Sequence, residues 1–318
     1  MIGRWLALRQ PVWLERARIG APLWLGPTGQ LALAVEARWR PERIFVQLIV
    51  KLDEANTHVG APIMTMGGYM ARVGQWNSFD RKWRKELRKA ALDHFHAREM
   101  AAHPFARKVV KIADDHLMAG FVVRLDKRDY DEVYRIGPWG GKAQPDSMYG
   151  LCFRFLLSAC FEVGFHEYGM DLRLDFLVES GHKHEGAPNE IVRRLKKENL
   201  RGISAHLGTV TPMLKKESYG LQAADGLATG AAWSERPDGS SIPLVDITPA
   251  GTLAQVSQKS PTKVPIFRCH ADRSQLTSLR DDMFALVEFK RQFGIRRNAE
   301  IAARKARSLP SSSGEEPS

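Results

Sequence analysis

The chain has 318 residues, with 47 Lys and Arg against 36 Asp and Glu, a formal net charge of +11, and 44% apolar and 26% charged residues. That mix belongs to a soluble globular protein and excludes a collagen-like, wholly disordered or multispanning membrane chain. The surplus of positive charge favours an anionic partner, such as nucleic acid or a membrane surface. The three cysteines, Cys152, Cys160 and Cys269, are odd in number and lack CxxC spacing, which argues against a disulfide framework or a cysteine zinc site. Cys152 and Cys160 fall in one predicted helix about 12 Å apart along its axis, too far to bridge, so they read as small buried apolar side chains. The first apolar run, Trp5-Leu6-Ala7-Leu8, is cut by Arg9, short of the roughly 7–15 residues of a secretory core. No stretch approaches the roughly 20 residues needed to span a bilayer. The expected compartment is the cytoplasm, with no membrane partner.

Residues 1–42 show no periodicity and read as an N-terminal extension. Patterning starts at Arg43. Ile44, Val46, Leu48, Val50 and Leu52 alternate with Phe45, Gln47, Ile49 and Lys51, the period of a strand. It ends in Asp53-Glu54-Ala55-Asn56, where Asn56 suits a turn. A second strand over about 63–71 completes an antiparallel hairpin. A basic helix follows over about 76–92, with Trp83, Leu87, Ala90 and Ala91 on one face, then a second helix from Pro104 to about 117. Phe121-Val122-Val123-Arg124-Leu125 is a third strand and 136–141 a loop. Residues 147–163 form an apolar helix. Leu172, Leu174, Phe176 and Val178 alternate with Asp171, Arg173, Asp175 and Glu179 in a fourth strand. A charged helix over 189–199, a short fifth strand near 203–207 and a helix over 218–233 complete the pattern. Residues 235–265 are rich in Pro, Gly, Ser and Thr and read as a loop. An amphipathic helix over 275–293 dominates a C-terminal helical segment, 266–308, and 309–318 is a disordered tail. Between 43 and 234 the order of elements is that of an RNase H-like α/β domain: a mixed sheet flanked by helices, with a two-helix insertion after the second strand.

Three places can carry chemistry. Asp53-Glu54 ends the first strand, where adjacent carboxylates can hold a hard divalent cation of the kind that serves phosphoryl chemistry. Pleat geometry would aim the two side chains at opposite faces if the strand ran on through Glu54, so a shared site requires the chain to turn there; Asp53 is the stronger candidate. Glu179 stands at the C-terminal end of the fourth strand, where ligands of α/β sheets bind, with Asp175 as the alternative. Gln222 and Asp225 share one face of a small, apolar helix, and a carboxylate in that setting needs a metal ion or a basic partner.

Asp53-Glu54 and the Leu221-Gln222-Ala223-Ala224-Asp225 helix together resemble the domain-of-unknown-function family numbered 3800, of the RNase H-like group. Its members open with Asp-Glu-Ser-Gly after a hydrophobic strand, continue through an aromatic-containing helix and a His-Ala segment, and close on Leu-Gln-x-Ala-Asp. Here the middle is Met66-Gly67-Gly68-Tyr69, then Trp76 to Leu87, then Phe95-His96-Ala97-Arg98-Glu99. Ala55-Asn56 replaces Ser-Gly; Asn tolerates the same turn, but the Ser hydroxyl is lost. The resemblance spans about 44–233 and implies a metal-dependent nuclease. Asp53, Glu179 and Asp225 would then hold one or two Mg²⁺ or Mn²⁺ ions about 4 Å apart. Gln222 would orient a ligand or touch the substrate backbone. Glu54, His96 or Glu99 would assist proton transfer or support the ligands.

Other features bear on this reading. His94-x-His96 and His182-x-His184 are each spaced for chelation, with His103 and His116 nearby, and imidazole favours Zn²⁺ over Mg²⁺, a competing site without an HExxH motif. Between Arg81 and Lys111 there are ten Lys and Arg against three acids. Arg81, Lys82, Arg84, Lys85, Arg88 and Lys89 lie opposite the Trp83/Leu87 stripe, so this helix can dock by one face and present phosphate contacts on the other. Lys290, Arg291, Arg296, Arg297, Arg304, Lys305 and Arg307 form a second patch. The alternatives are a non-catalytic nucleic-acid- or partner-binding module that keeps the fold, and a metal-dependent hydrolase of small phosphorylated substrates.

Overall fold

The computed structural model describes residues 46–55, 61–100, 103–136, 146–168, 172–198, 203–233, 245–246 and 264–281, with 292, 295, 298, 300 and 301. The N-terminal extension, the second basic patch and the tail lie outside the described residues.

Strands β1 (Val46–Ala55) and β2 (Ile63–Arg72) form the expected antiparallel hairpin, from Leu48 opposite Arg72 to Ala55 opposite Thr65. Alternation assigns the two faces of β1: Leu48, Val50 and Leu52 enter one core, and Ile49 packs against the other. Helix α1 (Val73–Lys89) leaves β2 directly. Its Trp76, Phe79, Trp83 and Leu87 recur every three or four residues and are buried, as an amphipathic helix requires. Helix α2 (Pro104–His116) begins with proline at its first turn, where the missing N–H costs nothing, and His103 Nδ1 caps it by accepting from the backbone N–H of Phe105 at 3.1 Å. These two helices, with a single turn at Ala97–Met100 between them, are the insertion expected before β3 (Ala119–Asp126). Helix α3 (Met148–Tyr168), β4 (Leu172–Glu179), α4 (Gly186–Glu198), β5 (Leu207–Met213) and α5 (Tyr219–Trp233) follow.

The sheet runs β5-β4-β1-β2-β3 and is extended beyond β3 by β7 (Ile266–Ala271) and the two-residue β6 (Val245–Asp246). Strand β2 is antiparallel to both neighbours, and every other pairing is parallel. This is an RNase H-like α/β fold. Its two cores lie on opposite faces of the sheet, one built on α3 and α4, the other on α1, α2 and α5.

Three expectations are corrected. Residues Ile203–His206 are a helical turn rather than the start of the fifth strand, which begins at Leu207. Ile203 and His206, three apart, are both buried, and His206 Nδ1 lies 2.8 Å from Leu172 O. The segment from 266 opens with a strand, so the sheet extends past the loop that the sequence placed at its boundary. In β7, Phe267, Cys269 and Ala271 face the α3 core and Ile266 faces the other. Finally, Met148–Phe165 is long and apolar enough to cross a bilayer, with mean hydropathy 1.4, but 72% of it is buried inside the fold. It is the central core helix, and Cys152 and Cys160 are buried within it, unpaired.

Asp175 is committed to the scaffold. Its carboxylate accepts from Thr209 N at 2.7 Å, Thr209 Oγ1 at 2.8 Å and Gln47 Nε2 at 2.8 Å, tying β5, β4 and β1 together. Gly208 is required beside it, because a Cβ there would lie 2.1 Å from Asp175 Oδ1.

Candidate functional site

The parallel pairing of β1 and β4 ends with Leu52 opposite Val178, which sets Asp53 beside Glu179 one step further on, at the C-terminal ends of both strands. The expectation that Asp53 and Glu54 can share a site only if the chain turns at Glu54 is not met. Strand β1 continues to Ala55, so the two side chains leave from opposite faces, yet they converge because they sit at the rim of the sheet. One oxygen each of Asp53, Glu54 and Glu179 lies within 4.8 Å of the others. Asp53 is 1% exposed. Its Oδ1 accepts from the backbone N–H of Glu54 at 2.7 Å, a bond that curls the carboxylate back along its own strand.

Helix α5 reaches this rim because it packs unusually close to β2. A Cβ at Gly67 would lie 2.6 Å from Ala228 N, and Thr65 Oγ1 donates to Ala228 O at 3.0 Å. The helix brings Asp225, buried, to the edge of the cluster. Asp225 Oδ2 accepts from the backbone N–H of Ala97 at 2.7 Å, and Oδ1 from Thr229 Oγ1 at 3.4 Å. Gln222, one turn earlier, is fully engaged: Oε1 accepts from Trp83 Nε1 at 3.1 Å and from Phe95 N at 3.0 Å, and Nε2 donates to Lys215 O at 3.3 Å. Gln222 and Asp225 therefore clamp the segment after α1 against α5. The Leu-Gln-x-Ala-Asp pattern holds the insertion in place as well as presenting a carboxylate. His96, between the two clamped amides, has a buried Nδ1 without a hydrogen-bond partner, and Glu99 is exposed. Among the described residues neither shares a hydrogen bond or ion pair with the carboxylates.

The residue that sequence reasoning missed is Lys215. It sits in the 3₁₀ turn Lys215–Glu217 that joins β5 to α5. Its Nζ lies 2.9 Å from Asp53 Oδ2, 3.3 Å from Glu179 Oε1 and 3.3 Å from Asp225 Oδ1. The tightest carboxylate set thus contains Glu54, and Asp225 joins it through the ammonium. No local signal marked it: Lys215 is placed by β5, which runs parallel to the strand bearing Glu179 and ends at the same edge of the sheet. Asp53 Oδ2 is met by the Lys215 ammonium at 2.9 Å, and Glu54 Oε2 is buried without a hydrogen-bond partner.

His182 completes the rim. Its ring stacks on Tyr149 with centroids 4.6 Å apart, and Nε2 stands 4.0 Å from Glu54 Oε1. Gly181, with φ of +97°, allows the sharp turn after β4 that a side chain would resist. The centroids of His182 and His184 are 5.7 Å apart, whereas His103 serves as a helix cap.

Burial, together with Glu179, holds the Asp53 carboxyl well above the usual range. Burial and the negative charge of Glu179 push Glu54 up to about 8, against the pull of Lys215. Lys215 stays charged: burial would lower it, but Asp53, Asp225 and Glu179 raise it above the ordinary lysine value. Burial keeps His182 below its ordinary value, aided by His184. The raised Glu54 carboxyl has a consequence for stability. A group at about 8 in the native state and 4.5 when unfolded contributes stability that is fully present below 4.5 and lost as pH rises through 8. The Tm of the ion-free protein should therefore fall between about pH 5 and pH 8.5. Glu54→Gln, which cannot ionise, should flatten that slope in a thermal-melt series.

The basic face of α1 is real but partly spent. Lys82, Lys89 and Lys108 converge on the buried Glu86 at 3.4, 3.0 and 3.2 Å, and hydrogen bonds from Lys89 and Lys108 hold Glu86 down at about 2. Arg81, Arg84, Lys85, Arg88 and Lys89 line an open groove of about 550 Å³. Arg84 lies over the ring of Tyr219, 5.7 Å from its centroid, so the groove adjoins the start of α5 and the Lys215 turn.

Comparison of this chain with family models, with curated proteins and with solved structures found no match.

Proposed function

We propose that the protein is a metal-dependent nuclease that hydrolyses nucleic-acid phosphodiester bonds at the Asp53–Glu54–Glu179 rim. The observation that carries this reading is the convergence of three carboxylates at one rim, with Glu54 Oε2 buried without a hydrogen bond. Buried polar oxygens are ordinarily satisfied, and an all-oxygen donor set suits Mg²⁺ or Mn²⁺. Such an ion, when bound, supplies a polarised phosphate oxygen and an activated water. Asp53 and Glu179 would hold it from adjacent strands, with Asp225 beside them. Glu54, whose raised value lies near neutrality, can take the proton from the attacking water. His182, neutral and stacked on Tyr149, supports Glu54. The resemblance to the 3800 family points the same way. Three buried cysteines suit a reducing compartment, and the cytoplasm is where we place this activity.

The α1 groove supplies the approach surface for the phosphate backbone. Nucleic-acid binding should weaken steeply with salt, by about 0.7–0.9 in log K per unit log salt for each phosphate contact. The double variant Arg84→Glu/Lys85→Glu should lower affinity across all sequences and flatten that slope. A salt-independent affinity, or one unchanged in this variant, would remove the groove from the account.

One observation favours a second reading, a non-catalytic binding module. Lys215 already pairs with Asp53, Glu179 and Asp225, as the centre of a purely structural ion cluster would. Cleavage assays with and without Mn²⁺ separate the two.

A further inference from the structure

The backbone around Lys215 is pinned. Its carbonyl accepts from Gln222 Nε2 at 3.3 Å and from Ser218 N at 3.2 Å, and Leu214 O accepts from Glu217 N at 2.9 Å. The side chain leaves this fixed root on a flexible four-carbon stem. Its ammonium lies 2.9–3.3 Å from one oxygen each of Asp53, Glu179 and Asp225. A divalent cation bound by the same oxygens would sit at about 2.0–2.1 Å from them, within the space the ammonium fills. Two cations cannot share that position, since both draw on the same carboxylate charge.

We propose that Lys215 is the resident counter-ion of the free site, that a divalent cation enters by displacing it, and that the displaced ammonium, still rooted at the rim, then meets a phosphate oxygen of the substrate. This rests on the metal-dependent reading above. The lysine has two jobs in sequence. Without the ion it offsets the repulsion among buried carboxylates and keeps the rim folded. With the ion bound it becomes a point charge beside the phosphate, a role to which a compact ammonium is suited. Ion affinity in the native chain is the difference between binding the ion and losing the lysine contacts, so it is weaker than the carboxylates alone would give.

The test is a calorimetric titration of Mn²⁺ into the full chain, its Lys215→Met and Lys215→Gln variants, and Asp53→Asn, with thermal melts of each. The Lys215 variants should melt lower than the native protein without ion, gain more from Mn²⁺, and bind it at least about tenfold more tightly. Lys215→Gln keeps a polar side chain, so the comparison survives if Lys215→Met folds poorly. Equal or weaker Mn²⁺ affinity in both Lys215 variants, with a native chain that does bind, overturns the displacement and leaves the metal site standing. Mn²⁺ binding by the variants but not by the native chain also overturns the displacement, since the lysine then shuts the ion out, and favours the non-catalytic reading. Absence of binding in every protein overturns the metal-dependent reading and this proposal with it.

Discussion

Asp53→Asn should abolish Mn²⁺-dependent cleavage, lowering kcat by at least about a thousandfold, or roughly 4 kcal/mol of transition-state stabilisation, while the protein remains folded. Asp53 is the most buried carboxylate of the rim: it stands beside Glu179 and makes the shortest contact with Lys215, at 2.9 Å. The amide keeps the size of the side chain and can still accept from the Glu54 N–H through Oδ1, while its Nδ2, a donor, gives up the contact with the Lys215 ammonium. It cannot supply the anionic oxygen that a hard cation needs. Lys215 keeps Glu179 and Asp225, so no buried charge is stranded, and the Tm should shift by no more than about 3 °C. Circular dichroism and a melt establish folding, and a single-turnover assay reads the chemistry. Cleavage within tenfold of the native rate in a well-folded Asp53→Asn would remove the carboxylate from the mechanism.

Trp83→Ala should cost about 3–5 kcal/mol of stability. Trp83 is fully buried on α1, with ring centroids 5.1 Å from Phe79, 5.3 Å from Phe105 and 6.0 Å from Phe95. Truncation opens a cavity among these rings and removes the indole N–H from Gln222 Oε1. Gln222 retains Phe95 N, so the loss is chiefly packing. Trp83→Phe, which keeps an aromatic ring but loses the bond, should cost about 1–2 kcal/mol. Urea denaturation at constant m-value measures both. The effect should reach the rim, because Gln222 and Asp225 hold the same segment through Phe95 and Ala97. A Trp83→Ala protein within 1 kcal/mol of the native one would mean that the insertion is not anchored as described.

Much of the fold was legible because strands and helices carry their own periods. The alternation of Leu48, Val50 and Leu52 is the alternation of two cores, and the Trp76–Leu87 stripe is the buried face of α1. Strand β7 escaped because Arg268 and His270 break its apolar texture and Pro265 precedes it; its identity comes from pairing with β3 across a long stretch of chain, a contact that local pattern does not carry. The turn at Ile203–His206 escaped because four residues are too few for a helical period to show. At the site, Asp53, Glu179 and Asp225 were visible as acids at strand ends or on a small-residue helix. Their common neighbour Lys215 was not, because a lysine in Lys215-Lys216-Glu217 looks like any charged turn until β5 is known to run parallel beside β4. Gln222 was visible as a site residue, but its clamp on Trp83 and Phe95 depends on tertiary packing alone.

Incubation of the purified full chain with end-labelled DNA and RNA in Mn²⁺ and, separately, in EDTA decides whether the carboxylate rim cleaves phosphodiester bonds with a divalent cation. Shortened products are expected in Mn²⁺ and intact substrate in EDTA. Intact substrates under both conditions, or equal cleavage under both, would rule out metal-dependent cleavage at the rim.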